Sequence, residues 1–168
     1  DNDISFLSNG KKIIGSCNDE VVTITMPNVS NVSTDQNGYF ILNTGCLHLV
    51  VFTEKIDDVD VNYLGSEIRN LKEYHEEGIN VNFVEIFGKK ISIRTYERGV
   101  ESETLSCGTG VVASVLAANE KGFDINSKTE VKTLGGVLNV NWKKIKNEYQ
   151  DIELSGPVSL VFQGELFL

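Results

Sequence analysis

The chain has 168 residues, with 40% hydrophobic and 23% charged side chains and a net charge of −9 at pH 7. That length suits one domain or two small lobes and buries about two thirds of the surface it exposes unfolded. The acidic balance argues against nucleic-acid and anionic-membrane partners. No apolar run reaches membrane-spanning length, and no signal-peptide pattern opens the chain.

The predicted elements follow in order. Ile4 to Leu7 alternate apolar and polar, Ser8-Asn9-Gly10 marks a turn, and Lys12 to Gly15 reads as a second strand. After the turn at Asn18-Asp19, β-branched residues from Val21 to Met26 give a third strand, ended by Pro27-Asn28. Tyr39 to Leu42 and Leu47 to Phe52 read as strands flanking Asn43-Thr44-Gly45-Cys46. Leu64, Ile68 and Leu71 in an otherwise polar Val61–Glu76 stretch predict a short helix. Val81 to Phe87 and Ile91 to Tyr96 form a hairpin around Gly88-Lys89. Val111 to Asn119 predicts a helix apolar on most faces, hence buried. Glu130–Thr133, Val137–Trp142 and Asp151–Leu154 are strands, separated by Gly135-Gly136 and the polar Lys143–Asn147 and closed by Gly156-Pro157. Ser159–Phe162 and Glu165–Leu168 complete the list of predicted strands. This is an α+β order rather than alternating βαβ. The first three strands and the three from Glu130 share a rhythm of strand, Gly turn, strand, polar turn, strand, Pro, which reads as an internal repeat.

The three cysteines, Cys17, Cys46 and Cys107, show no C-x-x-C spacing, so neither a disulfide framework nor a zinc site is indicated, and a cytoplasmic setting is expected. Cys107 stands where a loop becomes a helix. The first amides of a helix lack intrahelical partners and carry partial positive charge. A thiolate there is stabilised, so the thiol is expected below the ordinary value of about 8.5. Gly108 and Gly110 leave the amides open to an anion. The competing reading is a small buried core cysteine. Glu97 and Arg98 follow a strand end. They are either a surface ion pair, worth little, or a pair for an ammonium and a carboxylate. Turn chemistry accounts for one of Asn80 and Asn82. His75 reads as surface and Cys17 as structural.

The segment Glu97-Arg98-Gly99-Val100-Glu101-Ser102-Glu103-Thr104-Leu105-Ser106-Cys107-Gly108-Thr109-Gly110 resembles the second catalytic segment of the diaminopimelate epimerase family. Gly45 to His48, Gly78 to Glu85, Gly135-Gly136 and Gly156-Pro157 agree in order, so the resemblance covers nearly the whole chain. It implies a mixed, mostly antiparallel sheet wrapped around a central buried helix. It also implies an isomerase without cofactor, interconverting LL- and meso-diaminopimelate for lysine and peptidoglycan precursors through two cysteines. Cys107 would be one of these. The backbone of Gly108 and Thr109 would hold the α-carboxylate, Glu97 the α-amino group, and Arg98 and Asn80 the distal end, with His48 near the active cysteine. Cys46 stands where the family has Asn or Ser, and Leu47 where it has Pro; Cys46 is carried as a further pocket candidate.

The family has two pseudo-symmetric lobes with one cysteine each. By that frame residues 1–27 end the N-terminal lobe, 28–157 form the C-terminal lobe, and 158–168 return as a strand to the first. The chain is then expected to be a fragment, inactive alone, whose partners are diaminopimelate and the missing lobe; a homodimer is compatible with it. Two alternatives remain: another cysteine-dependent racemase of this fold, against which Glu97-Arg98-Gly99 argues, and a catalytically inactive lobe that binds an amino acid or a protein.

Overall fold

The computed structural model describes residues 3–8, 10–18 and 20–166. The chain opens with an antiparallel meander, β1 (Ile4–Ser8), β2 (Lys11–Asn18) and β3 (Val21–Thr25). Asn9 and Asp19, at the predicted turns, lie outside the described residues. Then come β4 (Val32–Thr34), β5 (Phe40–Asn43) and β6 (Leu47–Phe52). The helix expected within Val61–Glu76 is shorter, α1 (Val61–Arg69). Asp60 caps it by accepting from the Tyr63 amide at 3.1 Å, and turns carry the chain onward from Asn70. The hairpin β7 (Asn80–Phe87) and β8 (Lys90–Glu97) follows, with β9 (Ser102–Thr104) folded back on β8. After α2 (Gly108–Glu120), a second meander, β10 (Lys128–Thr133), β11 (Gly136–Ile145) and β12 (Glu148–Pro157), completes the sheet.

Among the described residues the strand order is β1-β2-β3-β12-β11-β10-β8-β7-β6-β5-β4. Only the β6/β7 and β8/β10 pairings are parallel. Each spans a crossover, through α1 and α2 respectively, as parallel neighbours require. The repeated rhythm corresponds to the two meanders, which join edge to edge where β3 meets β12, with Thr25 opposite Glu153 and Val21 opposite Pro157.

The α2 helix is buried from Gly110 to Ala118, as its apolar circumference requires. It packs against β5, β6, β7, β8, β11 and β12. Val111, Val112, Val115 and Leu116 are fully buried within a core that includes Val50, Val84, Val131 and Val140. Each such side chain contributes about 1.5–3 kcal/mol relative to exposure, so packing rather than capping fixes where α2 begins. A smaller core lies under α1, around Leu49, Ile79, Val81 and Tyr96.

The strand expected over Ser159–Phe162 does not form. Val158 donates to the Glu20 carbonyl at 2.8 Å, and beyond it the described residues take no strand. Leu160, Val161 and Phe162 are more than four-fifths exposed. Apolar residues alone do not make a strand; a ladder partner must satisfy the backbone. The expected strand from Glu165 is likewise absent through Leu166, and its last two residues lie outside the described ones.

Candidate active site

β8 ends by delivering Glu97 and Arg98, and a tight turn at Gly99 (φ 90°) and Glu101 (φ 56°) reverses the chain into β9. Arg94 clamps that return: its fork donates to both Glu103 carboxylate oxygens, at 2.6 and 2.8 Å, while Nη1 donates to the Ile56 and Val59 carbonyls. Glu103 thus orders the loop. Glu101, exposed on that turn, accepts from the Gly99 amide and the Tyr96 hydroxyl. The chain then enters α2 with Cys107 at the N-cap, in extended backbone (φ −123°, ψ 105°). The Val111 amide makes the first intrahelical bond, to the Cys107 carbonyl at 2.9 Å. The Gly108 and Thr109 amides precede that bond, at the positive end of the helix dipole.

A cleft of 430 Å³ opens at this helix start. Phe6, Ile13, Ile24 and Leu154 line it with apolar surface; Thr44, Cys46, Glu97, Ser106, Cys107 and Thr109 supply the polar lining. Gly108 sits so close to Leu154 that an added Cβ would stand 2.8 Å from its Cδ2. A larger hollow of 600 Å³ over β3, β11 and β12 contains none of the predicted site residues.

Cys107 is 6% exposed, and this reverses the expectation for its acidity. Burial pushes the thiol up from its ordinary value, against the Thr109 hydroxyl and the Gly110 amide, which pull it down. The Glu97 carboxylate and Cys46 add to the rise. The helix-start donors are present as predicted, but desolvation of the anion outweighs them.

His48 is fully buried and meets the Thr109 hydroxyl through Nε2 at 2.9 Å. Burial, reinforced by the nearby Arg98 charge, drives its pKa from 6.5 down to about 3, so the imidazole is neutral. Its Nδ1 lies 3.0 Å from Asn82 Nδ2, a contact that turn chemistry did not reveal. Thr44, also unforeseen, donates to the Thr109 carbonyl at 2.8 Å and docks the loop between β5 and β6 onto α2. That loop places Cys46 in the cleft.

Asn80 and Arg98 fall outside the cleft lining. Asn80 donates to the Leu47 carbonyl at 3.2 Å and accepts from the Arg98 amide at 2.9 Å, so its side chain braces the end of β8. The exposed Arg98 side chain lies over Gly78, with Nη1 donating to the Glu77 carbonyl. Glu97 does line the cleft, with Oε2 accepting from the Thr104 hydroxyl at 3.0 Å. His75 and Cys17 are exposed. Among the described residues no group of three or more His, Cys, Asp or Glu side chains is placed to hold a metal ion, and no helix is long and apolar enough to cross a membrane.

A helix-start cysteine facing a carboxylate in a cleft of a mixed sheet defines a candidate thiol-dependent acid–base site. The chain's fold is similar to that of a PhzF-family phenazine biosynthesis protein from Enterococcus faecalis, with a TM-score of 0.60 at 12% identity, covering 100% of this chain and 66% of that one. The family model for diaminopimelate epimerase matches residues 40–161. A diaminopimelate epimerase from Flavobacterium psychrophilum is 38% identical over 145 residues, covering 86% of this chain and 56% of that protein. One from Methanocella arvoryzae is 43% identical over 126 residues, covering 74% and 42%. The chain belongs to the diaminopimelate epimerase family, and it spans about half the length of the curated relatives it matches.

Proposed function

We propose that this chain supplies one catalytic face of a cofactor-independent epimerase that interconverts LL- and meso-diaminopimelate. The observation that carries this reading is Cys107 at the α2 N-cap, sharing one cleft with Glu97 and the first helix amides. Glu97 takes the α-ammonium, and the Gly108 and Thr109 amides take the α-carboxylate, stabilising the charge that develops on it when the α-proton leaves. Inversion needs a proton donor on one face and an acceptor on the other. With its thiol pushed up by burial, Cys107 rests as the donor, and a thiolate on the opposite face is the acceptor; in the reverse direction the roles exchange.

That second cysteine belongs to a further lobe. In this reading residues 1–27 end the first lobe, 28–157 form the second, whose sheet wraps around α2, and 158–168 return towards the first. The product feeds lysine and peptidoglycan precursor synthesis in the cytoplasm. Arg98 takes the distal carboxylate with donors other than the one held by Glu77, and Asn80 serves it by fixing the Arg98 backbone.

The test is α-proton exchange with LL-diaminopimelate in deuterated water, followed by NMR, on this chain alone and on the chain joined to a lobe bearing the family's first cysteine. The joined protein is expected to give α-deuterated meso product, and the chain alone none. No exchange by the joined protein would overturn the epimerase reading. Inversion by the chain alone would overturn the two-lobe reading and point to Cys46 as the second acid–base group. In the joined protein Arg98→Lys is expected to raise KM about tenfold, because a point charge does not replace a planar fork; an unchanged KM would remove Arg98 from the substrate.

A further inference from the structure

The buried hydrogen bonds behind the cleft run in one direction, and that direction is set by groups whose roles are unambiguous. Asn82 Nδ2 lies 3.0 Å from the Leu49 carbonyl, which can only accept, so this atom is the amide nitrogen. Asn82 Oδ1 accepts from the Thr95 hydroxyl at 3.0 Å, which fixes the other end of the amide. The second hydrogen on Nδ2 then points to His48 Nδ1 at 3.0 Å. A ring nitrogen that accepts carries no proton, so in the neutral imidazole the hydrogen sits on Nε2. Nε2–H therefore donates to Thr109 Oγ1 at 2.9 Å. A hydroxyl has one hydrogen, and Cys107 Sγ lies 3.5 Å from the same oxygen.

We propose that Asn82 is a positioning residue for Cys107: it holds His48 as the Nε2–H tautomer, so that the Thr109 hydroxyl accepts from the ring and aims its only hydrogen at Sγ. This rests on the epimerase reading for its purpose. When Cys107 gives its proton to the α-carbon, the sulfur left behind is a thiolate, and the Thr109 O–H is already oriented to receive it. No proton passes along the chain of bonds; His48 acts as a fixed donor rather than a base. The sequence Thr95, Asn82, His48, Thr109 is fully paired by hydrogen bonds, all four residues come from different elements, and each is buried or half-buried. Gly110 is part of the same device: an added Cβ would land on Asn82 Oδ1 and come within 3.3 Å of His48 Cε1.

Two measurements on the 168-residue chain test this without substrate, so their outcome is independent of whether the joined protein epimerises. The first is the ring 15N spectrum at pH 7, in which His48 is distinguished from the exposed His75 by His75→Gln. His48 is expected as the neutral Nε2–H tautomer; an Nδ1–H tautomer or an imidazolium would overturn the proposal. The second is the pH midpoint of Cys107 alkylation by iodoacetamide, with Cys17 and Cys46 replaced by Ser. Removing Cys46 leaves Glu97 as the charged side chain raising the Cys107 pKa, with Arg98 acting on His48. Thr109→Val is expected to raise the midpoint by about one pH unit, the scale of one hydrogen bond to a charged group, and Thr109→Ser to keep it near the parent value. A Thr109→Val midpoint at or below the parent's overturns the proposal, as does a Thr109→Ser midpoint as high as that of Thr109→Val. Asn82→Asp is expected to draw the ring hydrogen to Nδ1 and to raise the midpoint as Thr109→Val does. If that variant does not fold, the native tautomer and the Thr109 pair decide.

Discussion

Between pH 6.5 and pH 3 the folded chain is expected to lose roughly 4–5 kcal/mol of stability through His48 alone. The imidazole has a pKa of 6.5 in the unfolded chain and about 3 in the folded one, with burial as the main cause. The folded state therefore binds fewer protons than the unfolded state throughout that window. The contribution is fully present above pH 6.5, falls as the pH falls, and is exhausted near pH 3. Carboxylates titrate over the lower part of the same window, so the measurement is a comparison. Urea midpoints of the parent and of His48→Gln are followed from pH 7.5 to pH 4.5. The parent should lose about 3 kcal/mol more than the variant over that range. Parallel curves would mean that the ring protonates in the folded state at ordinary cost.

Gly110→Ala should destabilise the chain by about 2–5 kcal/mol, against the rule for exposed helices. In a solvent-facing helix interior, alanine gains about 1 kcal/mol over glycine. Here the added methyl meets Asn82 Oδ1 and crowds the His48 ring. Asn82 cannot retreat without releasing Thr95, Leu49 or His48. Overpacking costs about 1–3 kcal/mol, and each buried polar group left unpaired about as much again. Equilibrium denaturation reads the loss. A stabilised Gly110→Ala variant would show that the Asn82 network yields easily and does not fix the ring.

The elements the sequence disclosed best are those whose signal is local. β6 matches its expected bounds, Leu47 to Phe52, and α2 extends the expected Val111–Asn119 by a few residues at its start and one at its end. The helix start at Cys107 was legible because glycines flank it and an apolar run follows. Whether the thiol is acidic was not, since that depends on how much of the rest of the chain covers it. β9 was read as loop: Ser102-Glu103-Thr104 has no apolar periodicity, and it pairs with β8 beside the fork that Arg94 offers Glu103. The expected strand Ser159–Phe162 erred the other way, with apolar residues but no ladder to join. Turn chemistry accounted for one of Asn80 and Asn82, but both lie within β7, and Asn82 already fell inside the expected strand from Val81 to Phe87. Its role comes from His48, Thr95 and Leu49, distant in sequence, which no spacing within its own segment encodes.

The seam between β3 and β12 determines when the cleft can come into being as the chain folds. Ile24 stands opposite Leu154 across that seam, and both line the cleft, together with Phe6 and Ile13 from the first meander. Local hairpins such as β7/β8 close short loops, whereas this pairing joins strands from opposite ends of the chain and carries the largest entropic cost of closure. The Cys107 helix start and its polar neighbours belong to the interior segments. Their covering wall arrives only with that long-range pairing. During refolding, Cys107 should therefore pass through an interval in which α2 has docked while its thiol still faces bulk solvent, open to a reagent that the finished cleft largely excludes.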